Sequence, residues 1–181
     1  MSANWLSSGP YGVFGMFAVM SNDLTTPKIL YCPSEYRSTI VQASIFGNST
    51  ATNQGFFNDN GTSYFVGVDA SDTAPQMFLT GDHHLGDGAT PPSFPNLFGD
   101  SRPKFISAGT NIAWFSTSIG WANVQHGLKG NVCFADGSVQ TLDTTQLRIS
   151  LNRTGDTGRS AGVFNNTVGT SGTGVNRLQF P

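Results

Sequence analysis

Charged side chains are scarce in this sequence. They make up 11% of its 181 residues, with nine lysines and arginines against eleven aspartates and glutamates, for a formal net charge of −2. Glutamate occurs once, as Glu35. The basic residues form no stripe, which argues against nucleic acid as a partner, because phosphate backbones are bound by clustered lysines and arginines. Uncharged Ser, Thr, Asn and Gly replace the missing charges, a composition common in β-rich, loop-rich proteins outside the cytoplasm.

Long apolar runs are also absent. The longest, residues 13–20, is interrupted by Gly15 and is much shorter than the roughly 20 residues that a membrane-spanning helix needs. No stretch combines a charged start, an apolar run and a small-residue cleavage site, which together mark a secretory signal peptide. We therefore expect the chain as given to behave as a soluble domain.

Cysteine is rare as well. Cys32 and Cys133 are the two in the chain; they lie far apart in sequence and belong to no metal-binding pair. Three interpretations are open: two small buried residues, a disulfide between them, or a catalytic thiol. The disulfide would suit an extracytoplasmic protein, because oxidising compartments preserve such bonds.

What the sequence does contain is sufficient for one globular domain over residues 1–181. Apolar residues make up 38% and include 14 Phe and 3 Trp, so a core can form without disulfides. Residues 1–13 are predicted to form an N-terminal loop. Residues 154–181 are rich in Gly, Thr and Asn and are predicted to form loops or an edge strand.

Short apolar segments separated by turn-forming residues predict several strands and few helices. A short helix is expected over residues 14–24, and long surface loops over 48–62 and 81–103. Strands are expected over residues 28–31, 63–68, 75–80 and 112–115.

The clearest hairpin signal is Asp136-Gly137, which stands between the apolar runs 130–135 and 138–142. Asp and Gly tolerate the positive φ of a type I′ turn, so these residues are predicted to connect two antiparallel strands.

A helix is predicted over residues 144–152, because Leu147 and Leu151 lie four apart on one face. Thr144 is its expected cap and Gly155 its expected end. Together these elements predict an α+β fold with an antiparallel β-sheet, few short helices and long loops.

Three parts of the chain resemble one family. Residues 26–35, Thr-Pro-Lys-Ile-Leu-Tyr-Cys-Pro-Ser-Glu, are similar to its PK-x-x-x-CPSD segment. Residues 63–67, Ser-Tyr-Phe-Val-Gly, and 79–85, Leu-Thr-Gly-Asp-His-His-Leu, are similar to its SYFVG and L-x-GDRN stretches, with two histidines in place of Arg-Asn. His126, nine residues and then Asp136-Gly137 match the motif after which the family is named.

The family is that of type II secretion-type pseudopilins, specifically the large group of prepilin-type proteins with the His-nine-residues-Asp-Gly motif in planctomycetes and verrucomicrobia. The resemblance covers roughly residues 14–180. It implies a pilin-like head domain that serves as a structural subunit of a type II secretion or type IV pilus-like filament and is not an enzyme.

The resemblance also implies a periplasmic or cell-surface location, with other pilin-like subunits and the secretion machinery as partners. Family members begin with a basic leader, a cleavage site and a long apolar helix. This sequence shows none of these, so we expect it to begin after that helix. The full-length protein would then be anchored in the inner membrane through the helix alone.

The motif residues His126, Asp136 and Gly137 have three interpretations. A structural role is the leading one, because turn chemistry explains the Asp-Gly pair and no nucleophile stands out. In that role His126 would hydrogen-bond two backbone segments through its two ring nitrogens. A metal site and a general acid–base pair are the alternatives.

Asp82, His83, His84 and Asp87 form the densest group of candidate metal ligands, of types that suit zinc or another transition metal. Adjacent histidines on an extended segment point in opposite directions, however, and rarely bind one ion. A solvated loop is the alternative.

Asp69 and Asp72 frame a turn between two predicted strands, and oxygen-rich turns of this kind can hold calcium. Major pseudopilins often carry calcium in a C-terminal loop, so the resemblance also makes calcium a candidate. No EF-hand pattern is present, and no cofactor is assigned with certainty.

Two other functions are open. Trp5, Tyr11, Trp114 and Trp121 could line a glycan-binding groove in a secreted carbohydrate-binding or adhesive module, although core burial is the alternative for the last two. A metal hydrolase that uses Asp and His ligands is the third hypothesis.

Overall fold

A computed structural model describes residues 12–47, 55–56, 58–87, 96–100, 105–109, 119–156 and 176–181. Within these ranges the chain forms α1 (Val13–Ala18), α2 (Ser21–Leu24) and α3 (Thr144–Arg153), together with two 3₁₀ helices (Pro27–Leu30 and Asp59–Gly61). No helix in the described ranges has both the length and the apolar character needed to cross a membrane.

The strands are short, and most belong to antiparallel sheets. Their bounds are β1 (Ile45–Phe46), β2 (Gly55–Phe56), β3 (Tyr64–Gly67), β4 (Phe78–Asp82), β5 (Leu85–Asp87), β6 (Asn96–Leu97), β7 (Phe105–Ser107), β8 (Gly120–Trp121), β9 (Lys129–Phe134), β10 (Val139–Asp143) and β11 (Arg177–Gln179).

The central sheet has the strand order β10-β9-β4-β3-β11-β7, and all its described pairs are antiparallel. A smaller antiparallel sheet has the order β6-β5-β8, while β1 and β2 form a parallel pair. The predicted α+β fold with an antiparallel sheet and few short helices is therefore confirmed.

The main core lies between the central sheet, α3 and the smaller sheet. Aromatic rings dominate it: Phe180 contacts Phe65 and Phe98 at centroid distances of 5.4 Å and 5.3 Å. Leu147 and Leu151 bring one face of α3 into this core, where both are completely buried. Burying a large apolar side chain contributes roughly 1.5–3 kcal/mol, so this cluster is the chief source of stability.

A second apolar cluster holds the N-terminal layer, which we define as residues 12–47, against the sheet. Side chains alternate across a strand, so β3 directs Phe65 into the main core and turns Tyr64 and Val66 towards this layer. The carboxylate of Asp59 adds a polar contact by accepting a hydrogen bond from the backbone N–H of Phe14 at 3.0 Å. The cluster itself consists of Val13, Phe17, Leu30, Ala43 and Phe56.

The hairpin around Asp136-Gly137 is present, but its turn differs from the prediction. The backbone N–H of Phe134 donates to Ser138, and that of Gly137 donates back to Phe134, at 2.8 Å and 2.9 Å. Three residues therefore form the loop, with Gly137 at φ +82°. This is the type I turn followed by a left-handed glycine, not the predicted two-residue type I′ turn.

The predicted helix at 144–152 is confirmed as α3, but its cap is not Thr144. Asp143 caps it: its carboxylate accepts from the N–H of Gln146 at 2.8 Å, and the Gln146 side chain accepts from the N–H of Asp143 at 3.0 Å. This reciprocal capping box satisfies two backbone donors at once. Thr144 instead accepts a hydrogen bond from the N–H of Trp121 at 3.2 Å.

The predicted strand at 28–31 is wrong, because this segment lies largely in the 3₁₀ helix Pro27–Leu30. The ring of Pro27 fixes φ near a helical value, and the side chain of Thr26 accepts from the N–H of Lys28. The apolar character of Ile29 and Leu30 pointed to a strand, whereas the Thr-Pro pair before them begins a helix.

Several other boundaries differ from the predictions. Helix 14–24 is divided into α1 and α2, and the strand expected at 75–80 begins only at Phe78, after consecutive turns at residues 71–77. The described part of 48–62 contains β2 and a 3₁₀ helix, and that of 81–103 contains β5 and β6, so neither is purely loop. The expected strand 112–115 lies outside the described residues.

Candidate functional site

Polar side chains from distant parts of the sequence meet where the N-terminal layer joins the central sheet. We call this group the junction cluster: Cys32, Glu35, Asp82, His83, His84 and His126. The segment after the first 3₁₀ helix supplies Cys32 and Glu35, the end of β4 and the two residues after it supply Asp82 and the two histidines, and the turn before β9 supplies His126. Both adjacent histidines and Asp82 are almost fully buried.

His83 is directed towards the N-terminal layer. Its Nδ1 lies 2.9 Å from the carbonyl oxygen of Ser63, and because a carbonyl can only accept, Nδ1 carries the proton. Nε2 therefore presents a lone pair in the neutral ring, 3.5 Å from a carboxylate oxygen of Glu35. The other side of the ring stacks on Tyr36, with centroids 5.6 Å apart.

Glu35 is neutralised mainly by Arg37. The Nε of Arg37 lies 3.1 Å from the carboxylate, and its terminal nitrogen also donates to the carbonyl of Thr62 at 3.2 Å. Burial opposes ionisation of Glu35, but hydrogen bonds from Arg37 and Ser63 and the charge of Arg37 outweigh it and hold the pKa of Glu35 below its usual value. The pair thus joins the N-terminal layer to the chain leading into β3.

His84 points to the other side of the chain, as alternation predicts for adjacent residues. Its Nε2 donates to the carbonyl of Lys129 at 2.9 Å, and its ring lies 4.9 Å from that of Trp121. Burial is the largest cause that lowers the pKa values of both His83 and His84 to about 4. Both rings are therefore neutral at physiological pH.

His126 makes its polar contacts with the cluster through one nitrogen, and its ring lies 5.6 Å from that of His84. Its Nε2 lies 3.3 Å from the sulfur of Cys32 and 3.9 Å from the carboxylate of Asp82. Asp82 in turn accepts from the backbone N–H of Asn131 at 2.7 Å. His126 has the left-handed backbone conformation, with φ +47°. The prediction that it bridges two backbone segments is wrong, since these contacts are to side chains.

This geometry is poorly suited to nucleophilic catalysis. A relay needs the base to face the nucleophile with one ring nitrogen and the orienting carboxylate with the other, whereas Nε2 of His126 faces both Cys32 and Asp82. Burial also raises the pKa of the Cys32 thiol, which leaves it protonated at neutral pH. The cluster can bind and exchange protons and can hold two parts of the fold together.

The disulfide, one of the three interpretations of the two cysteines, is not formed. Cys32 and Cys133 are both free thiols. The strand pairing explains this, because Cys133 lies on β9 opposite Val139, with its sulfur 3.6 Å from the carbonyl of Phe134, while the sulfur of Cys32 contacts His126.

The candidate metal ligands do not converge. Asp82, His83 and His84 have the separate partners described above, and Asp87 ends β5. Within the described ranges, no group of three or more His, Cys, Asp or Glu side chains is arranged to hold a metal ion.

The candidate calcium ligands are likewise separate. Asp69 accepts from the backbone N–H and the Nε of Arg177, at 2.9 Å and 2.7 Å. Asp72 is exposed and accepts a hydrogen bond from Ser71 at 3.3 Å. The Asp69 carboxylate therefore forms an ion pair with Arg177, the first residue of β11.

Of the remaining candidate site residues, those that the structure describes lie in the hairpin turn and in the core. Asp136 accepts from the N–H of Ser138 at 2.8 Å in the hairpin turn. It stands at the opposite end of β9 from His126, which a six-residue strand places about 20 Å away. Trp121 is completely buried, so it lines no surface groove. Trp5, Tyr11 and Trp114 lie outside the described residues.

Sequence reasoning did not identify Glu35 and Ser63 as members of this site. Glu35 is the only glutamate of the chain and stands three residues after Cys32, which is the signal that could have marked it. Ser63 opens the Ser-Tyr-Phe-Val-Gly segment of the resemblance, but nothing in the sequence marks it as part of a site, because its role depends on its carbonyl and on its hydroxyl, which accepts from the N–H of Cys32 at 3.1 Å.

Comparison of the chain with known protein families, with curated proteins and with solved structures found no match.

Proposed function

We propose that this chain is the head domain of a pseudopilin-type filament subunit, and that its function is mechanical and not catalytic. Other pilin-like subunits and the secretion machinery are its partners in this proposal, at the periplasmic side of the membrane or at the cell surface. An apolar helix before the head would provide the membrane anchor.

The observation that carries the proposal is the composition of the junction cluster. Its residues come from the three parts of the sequence that resemble the pseudopilin family: Cys32 and Glu35 from the first, the Asp82-His83-His84 run from the second, and His126 from the third. Cys32, Asp82 and His126 match the family's motifs, whereas Glu35, His83 and His84 replace its Asp and Arg-Asn. Motif residues that maintain one fold are expected to meet in space, and the three matching residues do.

The contacts in the cluster also favour a mechanical function. Cys32 and Glu35 contact His126 and His83 and so join the N-terminal layer to the sheet, while Asp82 and His84 join the end of β4 to β9. The sulfur of Cys32 is buried with a raised pKa. A head domain that transmits force between a membrane-embedded helix and neighbouring heads needs such connections between its layers.

The test is cross-linking in the bacterium that produces the protein. A photoreactive benzophenone side chain is placed at Ile29, Leu79 or Val124, exposed positions on the 3₁₀ helix, on β4 and on the turn before β9. After irradiation, immunoblots should show a ladder at integer multiples of the subunit mass for at least one position, with unirradiated cells as the control.

Binding of the purified domain to a glycan array, with no ladder at any position, would replace this proposal by the carbohydrate-binding alternative. Hydrolysis of an ester, glycan or phosphate panel that is lost in His126→Ala would replace it by an enzymatic one.

A further inference from the structure

The outer edge of β10 presents unpaired backbone groups. β10 pairs with β9 on one side, and no described strand pairs with its other side. Val139 is 67% exposed, and Gln140 and Thr141 are exposed as well. A strand edge of this kind is a template for pairing with another strand.

The register of the hairpin shows which groups point outwards. Phe134 donates to Ser138 at 2.8 Å, so the hydrogen-bonded pairs of the β9–β10 ladder fall at Ser138, Gln140 and Leu142. The N–H and C=O groups of Val139 and Thr141 therefore face away from β9. Those of Asp143 are less available, because its N–H donates to the side chain of Gln146.

Within the described ranges, this edge shows none of the usual devices that prevent strand addition. Natural edges are protected by lysine, proline, bulges or inward-pointing charges. The run Val139-Gln-Thr-Leu-Asp143 contains no lysine or proline, and its five residues pair with β9 in continuous register. Its first four residues are uncharged.

We propose that the β10 edge pairs with the same edge of a second copy of this chain, in antiparallel orientation with a two-fold axis at Gln140. In this register Val139 of each copy lies opposite Thr141 of the other, and their outward N–H and C=O groups form four backbone hydrogen bonds. Gln140 of one copy lies opposite Gln140 of the other.

The charges of the edge are compatible with this arrangement. The register places Asp143 opposite Gly137 and Asp136 opposite Thr144, so no two like charges stand directly opposite each other. The central sheets of two copies become one continuous sheet across the contact.

This inference goes beyond the proposed function: a two-fold contact joins only two copies, whereas successive subunits of a helical filament are related by a screw operation, so the contact joins heads that are not successive subunits of one filament. A four-bond contact is small, so we expect weak association of the isolated domain that becomes important when many copies are held side by side.

Thr141→Pro is the decisive variant. Proline removes an N–H that points to solvent in the single chain and leaves the β9 ladder intact, which edge strands tolerate. Thr141→Ala is the matched control, because both variants lose the hydrogen bond from the Thr141 hydroxyl to Asn131 but only proline loses the N–H. Sedimentation velocity over a concentration series should show self-association of the parent and of Thr141→Ala, and an apparent Kd increased by about tenfold or more for Thr141→Pro.

A second measurement does not depend on proline being tolerated. In a Cys133→Ser background, Gln140→Cys places two thiols opposite each other in a non-hydrogen-bonded pair, at a Cα separation of about 4.5 Å that suits a disulfide. Mild oxidation should give a covalent dimer, whereas Thr141→Cys, whose thiols are diagonal to each other, should give several-fold less.

Equal dimer yields for the two thiol variants, or equal association of Thr141→Pro and the parent, would overturn the edge pairing. A ladder from Ile29 in cells together with such a result would leave the filament proposal standing and remove only this contact.

Discussion

The sulfur of Cys32 lies 3.3 Å from Nε2 of His126, so the first and last parts of the resemblance meet at one hydrogen bond. The contact connects the N-terminal layer to the turn that enters β9. The effect of replacing one of these residues on the free energy of unfolding should therefore depend on whether the other is present.

A double-mutant cycle of Cys32→Ala and His126→Ala should show this coupling. We expect each single variant to destabilise the fold by about 1–2 kcal/mol and the coupling energy to be roughly 0.5–1 kcal/mol, because the second substitution removes a partner that is already lost. Urea unfolding at pH 7.5 is the measurement.

His126→Gly is the control for backbone strain, since glycine adopts φ +47° freely and alanine does not. If the two single effects simply add, the sulfur–imidazole contact contributes nothing. Loss of a bound metal ion from a His126→Ala protein with unchanged stability would instead support a metal site.

Stability should fall steeply in mild acid. The pKa values of His83 and His84 are about 4 in the fold and about 6.5 in the unfolded chain, so their contribution is complete above pH 6.5 and is lost as the pH falls towards 4. At pH 5 the two histidines together should reduce the free energy of unfolding by about 4 kcal/mol.

Urea unfolding between pH 7.5 and 5 tests this, with His84→Gln as the comparison. The glutamine amide can still donate to the carbonyl of Lys129 but does not titrate, so the pH dependence should fall by about half. An unchanged slope in His84→Gln would show that this histidine is not the buried neutral group described here.

Gly137→Ala should destabilise the hairpin by about 1 kcal/mol, which lowers the Tm of a chain this size by about 2–4 °C. The cause is backbone conformation alone, because a Cβ at this position meets no atom within 4 Å but φ is +82°. Gly137→Asn should cost less than alanine, since asparagine tolerates this region better. Thermal melts of the three proteins decide the order.

The candidate calcium residues give a further prediction. Asp69→Ala should lower stability by roughly 1.5–3 kcal/mol, because it removes the carboxylate that accepts hydrogen bonds from Arg177, while Asp72→Ala should have little effect. The stability change of each variant should be the same in the presence of calcium as in the presence of a chelator. If calcium raises the melting temperature of the parent but not that of Asp69→Ala, the result would support a calcium site at Asp69.

Local chemistry made some of this structure predictable. The Asp136-Gly137 turn and the α3 helix follow from residues within a few positions of each other, and both are present. The type I′ geometry was wrong because the number of loop residues depends on how Phe134 and Ser138 pair, which the dipeptide does not determine.

The candidate site was predictable only in part. The sequence drew attention to His83, His84 and His126 as separate features, but their convergence depends on strand β4 lying between β3 and β9. The buried environment of His83 also depends on Glu35 and Tyr36, which follow the expected strand 28–31 and for which no element was predicted. Long-range pairing of this kind has no local signal.

The position of β11 in the central sheet bears on how the chain acquires its structure. This strand, Arg177–Gln179, is hydrogen-bonded to β3 on one side and to β7 on the other. While a ribosome is still making the preceding residues, β3 and β7 have no partner between them, and the pocket filled by Leu178 and Phe180 stays open. The sheet therefore closes only after synthesis reaches its last strand, and we expect slow folding governed by long-range contacts.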